Sequence, residues 1–283
     1  MNARSIPRPA IFLLDRNVVA LIKHAVAGGR QRDARKQVYL DGLRALDVPE
    51  NSMSPILSIM EGEKGSEDSA EEKAECLEKE VDAVGQFFKR ANTDAEYLRA
   101  FKGDAASQLA HWRESQWGAR AAFLSSTAEL VVQKVAERER RRVEDELVRR
   151  ARAAGLATDD AILMLLLACL YGSDAARRVL KPAKPNVYNV LTDVHNIARV
   201  GMVKAVAQQS PYPIDVRFLT MDRGLLDVLH HVRIVRPRIT AAGSLEMQIG
   251  YGPALFPALS TADVHALLQR CTSSASAAAG KPS

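Results

Sequence analysis

The chain has 283 residues, 47% hydrophobic and 26% charged, close to ordinary soluble proteins and enough to bury a substantial core. Only 5% are aromatic, which argues against extended base-stacking platforms. The net charge of +5 conceals a segregation: residues 61–82 hold ten acids against three lysines, a local −7, so the remainder carries +12, an excess that attracts polyanions.

Residues 10–14, Ala-Ile-Phe-Leu-Leu, follow a proline-containing lead and read as a strand buried on both faces. Asp15 cuts the run, leaving it too short for a signal-peptide core. Residues 17–26 then predict a helix closed by Gly28 and Gly29, and residues 32–46 a second one with Val38, Leu43 and Leu46 inward. Ser54-Pro55 marks a helix start, a serine cap with proline at the first helical position, and Ile56, Leu57, Ile59 and Met60 carry that helix into Glu61.

From about residue 66 to residue 155 the pattern is helical, with no strand signal. Leu77, Val81, Val84 and Phe88 form one apolar stripe on an acidic segment. Shorter helices are expected around Tyr97, Leu98 and Phe101 and around Leu109 and Trp112. Leu124, Ala128, Val131 and Val135 open a longer one whose stripe Val143 and Leu147 continue. The arginines at 138 and 140–142, with Arg149, Arg150 and Arg152, alternate with acids at helical spacing. That pattern fits a solvated helix laced with ion pairs, or a phosphate-binding or partner-binding edge.

Residues 159–170 predict a buried helix, about half of what a bilayer crossing requires. A long helix over 186–208, a strand over 214–219, a short helix through His230 and a strand over 232–235, ended by Arg236-Pro237, complete the reading. The Ser/Ala/Gly-rich stretch 272–283 predicts a disordered tail. Cys76, Cys169 and Cys271 lie far apart without zinc-ligand spacing, the pattern of reduced structural thiols in a cytoplasmic protein.

Two segments share one pattern, an apolar strand with an aspartate at or just beyond its carboxyl end and then a helix: one delivers Asp15, the other Asp222. In open α/β sheets ligands sit beyond the carboxyl ends of strands, so both aspartates would project into one crevice. Two like charges there repel unless a cation lies between them, and hard oxygen ligands suit Mg²⁺ or Mn²⁺.

These motifs resemble those of PIN domains. LLDRNVV is similar to the opening PIN strand, with Asp15 followed two positions later by Asn17. SPILSIMEGEKG resembles the helix that ends in a second acid, here Glu61, with Glu63 as a neighbouring alternative. TDVHNIARVGMVKAV resembles the helix of the third acid, here Asp193, on whose polar strip Asn186, Asn189 and Asn196 also fall. FLTMDRGLL is similar to the late strand ending in Thr-x-Asp, here Thr220 and Asp222. The family places its third acid near a helix start, whereas Asp193 falls well inside one, and its small members lack so large a helical stretch.

The resemblance covers roughly residues 10–66 and 156–240. It implies an α/β fold, a PIN-like parallel sheet flanked by helices with an inserted α-helical subdomain. Residues 1–66 would be the first part of the core, 67–155 the helical insertion, 156–271 the second part and 272–283 the tail. It further implies a Mg²⁺- or Mn²⁺-dependent nuclease, with Asp15, Glu61, Asp193 and Asp222 as metal ligands and Asn17, Thr220, Arg223 and Asn189 facing substrate. The substrate would be RNA, or DNA, and the role that of a toxin, a defence effector or an RNA-processing enzyme. An antitoxin or regulatory protein and a second copy of the chain are the implied protein partners; a membrane is not. The competing expectations are a non-catalytic PIN-like module that binds nucleic acid or protein, and a purely structural helical protein. No GxxxxGK[ST] loop is present, which argues against a nucleotide-driven motor.

Overall fold

Residues 9–62, 69–100, 102–103, 116–208, 214–239 and 245–276 are described by a computed structural model of the chain. Glu63 and the helix expected around Leu109 and Trp112 lie outside these residues. The elements run β1 (Ala10–Leu14), α1 (Arg16–Val26), α2 (Ala34–Ala45), β2 (Asn51–Ser54), α3 (Ile56–Glu61), α4 (Ala70–Phe87), β3 (Asn92–Thr93) and α5 (Ala95–Ala100). Then come α6 (Trp117–Thr127), a 3₁₀ turn (Ala128–Val131), α7 (Glu137–Ala153), α8 (Ala161–Leu170), α9 (Asp174–Leu180) and α10 (Val187–Gln208). The chain continues with β4 (Asp215–Leu219), α11 (Arg223–His230), β5 (Val232–Ile239), β6 (Leu245–Tyr251), a second 3₁₀ turn (Pro253–Leu255) and α12 (Thr261–Ser276). None of the helices in the described residues is long and apolar enough to cross a membrane.

The chain divides into two compact units: residues 1–113 with 199–222, and residues 114–198 with 223–283. This division departs from the expected boundaries. Within the stretch 67–155, α4, β3 and α5 fall in the first unit and α6 and α7 in the second. Helix α10 passes from the second unit to the first between Ala198 and Arg199.

The first unit is built on a parallel four-stranded sheet in the order β3-β2-β1-β4. Successive residues of a strand point to opposite faces, and β1 uses both. Phe12 and Leu14 join Val18, Val19 and Ile22 of α1, Leu40 and Leu43 of α2, and Val84 of α4. Leu13 joins Leu57 and Ile59 of α3, Leu77 and Val81 of α4, and Val200 of α10. A central strand covered on both sides reads as an unbroken apolar run because neither face meets water. Helix α4 contributes to both cores, which is why it belongs to this unit. Val38, expected inward, is 72% exposed, since α2 turns Leu40 and Leu43 to the core instead.

Two strands of this sheet were unexpected, as was β6 in the second unit. β2 reads Asn-Ser-Met-Ser and buries only Met53 and Ser54; β3 has two residues, too few for any periodicity. Ser54 therefore closes a strand, although its hydroxyl still accepts from the Ile56 N–H (3.3 Å) at the start of α3.

In the second unit every residue of α8 is buried, as its uniform apolarity requires. Helix α7 is charged outside and laced with i,i+3 and i,i+4 pairs, Arg142–Glu139, Arg149–Glu146, Arg150–Glu146 and Arg141–Asp145. β5 pairs antiparallel with β6, and its register shifts between Val235 and Arg238, around Pro237. Proline cannot donate to a ladder and is tolerated at such an irregularity, so the strand continues past the position where it was expected to end. Helix α12 runs to Ser276, into the expected tail; residues 277–283 lie outside the described part. All three cysteines are buried free thiols.

Candidate functional site

Strands β1 and β4 are parallel neighbours with Leu14 opposite Leu219, so the residues that follow, Asp15 and Thr220, emerge side by side at the carboxyl end of the sheet. The Asp15 N–H donates to the Leu219 carbonyl at 2.9 Å, holding the two chain exits together. Asp15 is also the N-cap of α1, where its Oδ1 accepts from the Arg16 N–H at 2.9 Å. Its side chain is 3% exposed.

The other carboxylate oxygen, Oδ2, accepts from Asn17 Nδ2 at 2.5 Å and from the Thr220 hydroxyl. Thr220 Oγ1 in turn accepts from Asn17 Nδ2 and from the Asp222 N–H, each at 3.0 Å. Asn17 Oδ1 accepts from the Met221 N–H at 2.9 Å. The donors are used to capacity: the amide of Asn17 donates twice, and the one hydroxyl proton of Thr220 goes to the carboxylate. The i, i+2 spacing of Asp15 and Asn17 and the Thr-x-Asp of β4 thus interlock into one network, within which Asp15 has little freedom.

Burial pushes the Asp15 carboxyl above its usual range; the hydrogen bonds from Thr220 and the Arg16 N–H pull it back, and the negative charge of Asp222 pushes it up again. Asp222 itself is half-buried. Tyr39 of α2 points its hydroxyl at the Thr220 carbonyl (3.4 Å), and burial together with the Asp15 charge pushes that phenol up to about 12. It therefore stays protonated, a permanent donor beside the carboxylate. No spacing rule singled out Tyr39; the usable signal is that a tyrosine on a buried face needs a partner for its hydroxyl.

Glu61, the last residue of α3, is 6% exposed and reaches the same edge through Arg16, whose Nε lies 3.0 Å from Glu61 Oε1. Arg16 also donates to the Gly62 carbonyl at 3.0 Å. Gly62 sits at φ 79°, a left-handed conformation that lets the chain leave the helix there and that other residues adopt only under strain. Arg16 was not foreseen; it supplies Glu61 with a counter-charge that a metal was expected to supply.

A second polar couple lies on the same carboxyl edge. The Ser54 hydroxyl, at the end of β2, donates to Asp94, the residue that follows β3. Burial raises the Asp94 carboxyl to about 6, against the pull of that hydrogen bond. Asp94 escaped the sequence because β3 did.

The remaining expected residues belong to the second unit. Asp193 and Asn189 lie in the amino-terminal part of α10, both half-buried, and Arg223 is the exposed first residue of α11. The Asn189 N–H donates to the Asn186 side-chain Oδ1 at 3.1 Å, which caps the helix. Asn196 is fully buried. Near it, His195 faces Arg120 (2.9 Å), which also holds Asp160 at 2.8 Å.

Among the described residues no three His, Cys, Asp or Glu side chains stand close enough together to hold a metal ion. What the first unit offers is the pair Asp15 and Asp222, whose charges act on each other, with Glu61 neutralised by Arg16. That donor set fits Mg²⁺, which is commonly held by one or two carboxylates and completes its shell with water and substrate phosphate oxygens. No protein-family model, no curated protein and no solved structure matches this chain.

Proposed function

We propose that the carboxyl edge of β1 and β4 is the centre of a PIN-like, metal-dependent nuclease that cleaves RNA. The observation that carries this reading is the Asp15 network: a carboxylate gripped by Asn17 and Thr220 at the mouth of a parallel sheet, with the like charge of Asp222 acting on it. Holding two such charges together costs stability that Arg16, shared with Glu61, offsets only in part, and proteins keep that arrangement where a divalent ion or a substrate repays it.

In this reading Asp15 and Asp222 hold the ion. Asn17 and Thr220 fix the Asp15 carboxylate so that it needs no reorganisation when the ion arrives. A divalent cation bound there would lower the pKa of an attacking water and stabilise the leaving oxygen of a phosphodiester. Tyr39 keeps a proton available as a donor at the same edge. Arg16, held by Glu61 and the Gly62 carbonyl, supplies a positive charge next to Asp15 that suits a phosphate oxygen.

The test is cleavage of a fluorophore-labelled single-stranded RNA, with a DNA of the same sequence alongside, in Mg²⁺, in Mn²⁺ and in chelator. Metal-dependent cleavage lost in both Asp15→Asn and Asp222→Asn is the expected result. The Arg16–Glu61 bridge favours a second reading, a non-catalytic PIN-like module, because it occupies an acid the nuclease would use. Intact RNA in either metal, bound in a salt-sensitive way, would decide for that module.

A further inference from the structure

We propose that the groove between α7 and α12 in the second unit binds the phosphodiester backbone of RNA, a reading that rests on the nuclease assignment for its choice of polyanion. The groove has a volume of about 740 Å³. One wall is a single face of α7, with Arg141, Asp145, Val148, Arg149 and Arg152 at the spacings that line up along a helix. The other wall is α12, with Ala266, Gln269 and Arg270.

Its charge is cationic. Four arginines line it, Arg141, Arg149, Arg152 and Arg270, against two acids, Glu144 and Asp145. Glu144 is 2% exposed and already satisfied: it accepts from Arg141 at 2.6 Å, from Arg270 at 2.9 Å and from the Tyr171 hydroxyl. It anchors two guanidiniums at the groove floor, and with Asp145, which pairs with Arg141, it leaves the lining a net charge of +2. Arg149 pairs with Glu146, which does not line the groove and is shared with Arg150, so two guanidiniums face one carboxylate and positive charge is left for a phosphate.

The chemistry selects the ligand. Guanidinium forks match phosphate oxygens in pairs. The lining contains no aromatic or large aliphatic side chain, so it lacks the anchors that form the core of protein interfaces and the platforms that stack bases. A backbone read without its bases gives binding that tolerates sequence and weakens with salt.

The experiment measures anisotropy of a fluorescent single-stranded oligoribonucleotide against salt, in the Asp15→Asn chain so that no cleavage intervenes. Arg149→Glu/Arg152→Glu should weaken binding and flatten the salt slope by about 0.7 per lost contact, hence about 1.4 for the pair. Arg142→Glu/Lys36→Glu, an equal charge change at exposed positions outside the groove, should leave the slope within about 0.3 of the parent. If the glutamate pair melts early, Arg149→Gln/Arg152→Gln replaces it, with the same slope change expected. Equal losses in groove and control variants, or no loss in the groove variant, would overturn the proposal. Cleavage by the wild-type chain alongside an unchanged slope would retire the groove and keep the nuclease. Loss of slope with no cleavage would retire the nuclease and keep the groove.

Discussion

Thr220→Val is the sharpest probe of the site, since it removes one oxygen and keeps the shape. Thr220 is 2% exposed, and its Oγ1 serves Asp15, Asn17 and the Asp222 N–H at once. Asp15 would keep its bonds from Asn17 and Arg16 but lose a donor to a buried charge, worth about 1.5–3 kcal/mol, and the Asp222 N–H would lose its acceptor, worth about 1 kcal/mol more. We expect a loss of about 3 kcal/mol at neutral pH, read by urea unfolding. Thr220→Ser keeps the hydroxyl and should cost about 1 kcal/mol, the value of a buried methyl group. The pH dependence has a definite sign. Asp15 is held above its unfolded value of 3.8, so the folded chain binds its proton more tightly and the charged form carries a penalty that grows as pH rises from 3.8 through the folded pKa. Removing the Thr220 hydrogen bond, which lowers that pKa, extends the window upward. The deficit of Thr220→Val should therefore be smaller near pH 4 and grow as pH rises. A deficit no larger than that of Thr220→Ser, or one that does not change with pH, would refute the network.

Asp94→Asn should become relatively more stable as pH rises: the wild-type penalty is absent below 3.8, grows through about 6 and levels off above it. A shift of about two units corresponds to at most about 3 kcal/mol, and about 1–2 kcal/mol in all is expected after partial exposure, about half of which falls between pH 5 and pH 8 and is read as the difference between melts at those values. Arg16→Gln leaves Glu61, 6% exposed, without its cation and should cost about 1–3 kcal/mol, of which Glu61→Gln in the same chain recovers most. Additive losses in that double mutant would show that the bridge contributes nothing.

What was legible in the sequence is what a strand does by itself. β1 and β4 declared themselves through apolar runs, and each delivers its acid to the carboxyl edge because the aspartate follows the run directly or by a short step. Asn17 and Thr220 were legible for the same reason, being within two residues of those acids. Arg16, Tyr39 and Asp94 were not, because their importance arises only when distant segments meet: Arg16 with the end of α3, Tyr39 with the Thr220 carbonyl, Asp94 with Ser54 across β2 and β3. β2 was hidden by its serines and by Ser54-Pro55, which reads equally as a helix cap. The stripe on α4 gave the right helix and the wrong allegiance, since periodicity states which face is buried and not against what.

The charge balance at the edge narrows the chemistry open to it. A buried carboxylate must be neutralised, paired or held near a cation. Glu61 has Arg16 and is settled within the fold. Asp94 has a hydroxyl and a carboxyl raised to about 6, so the proton itself is within reach near neutral pH. Asp15 is different: its hydrogen bonds and the Arg16 charge favour the charged form, while burial and Asp222 oppose it, and its side-chain donors, Asn17 and Thr220, are neutral. An asparagine at either position would remove that conflict of charges. The conflict is tolerable if a divalent ion resolves it, and the Asp15–Asp222 pair is therefore where added Mg²⁺ should raise the melting temperature most, an increase that Asp222→Asn removes and Glu61→Gln largely preserves.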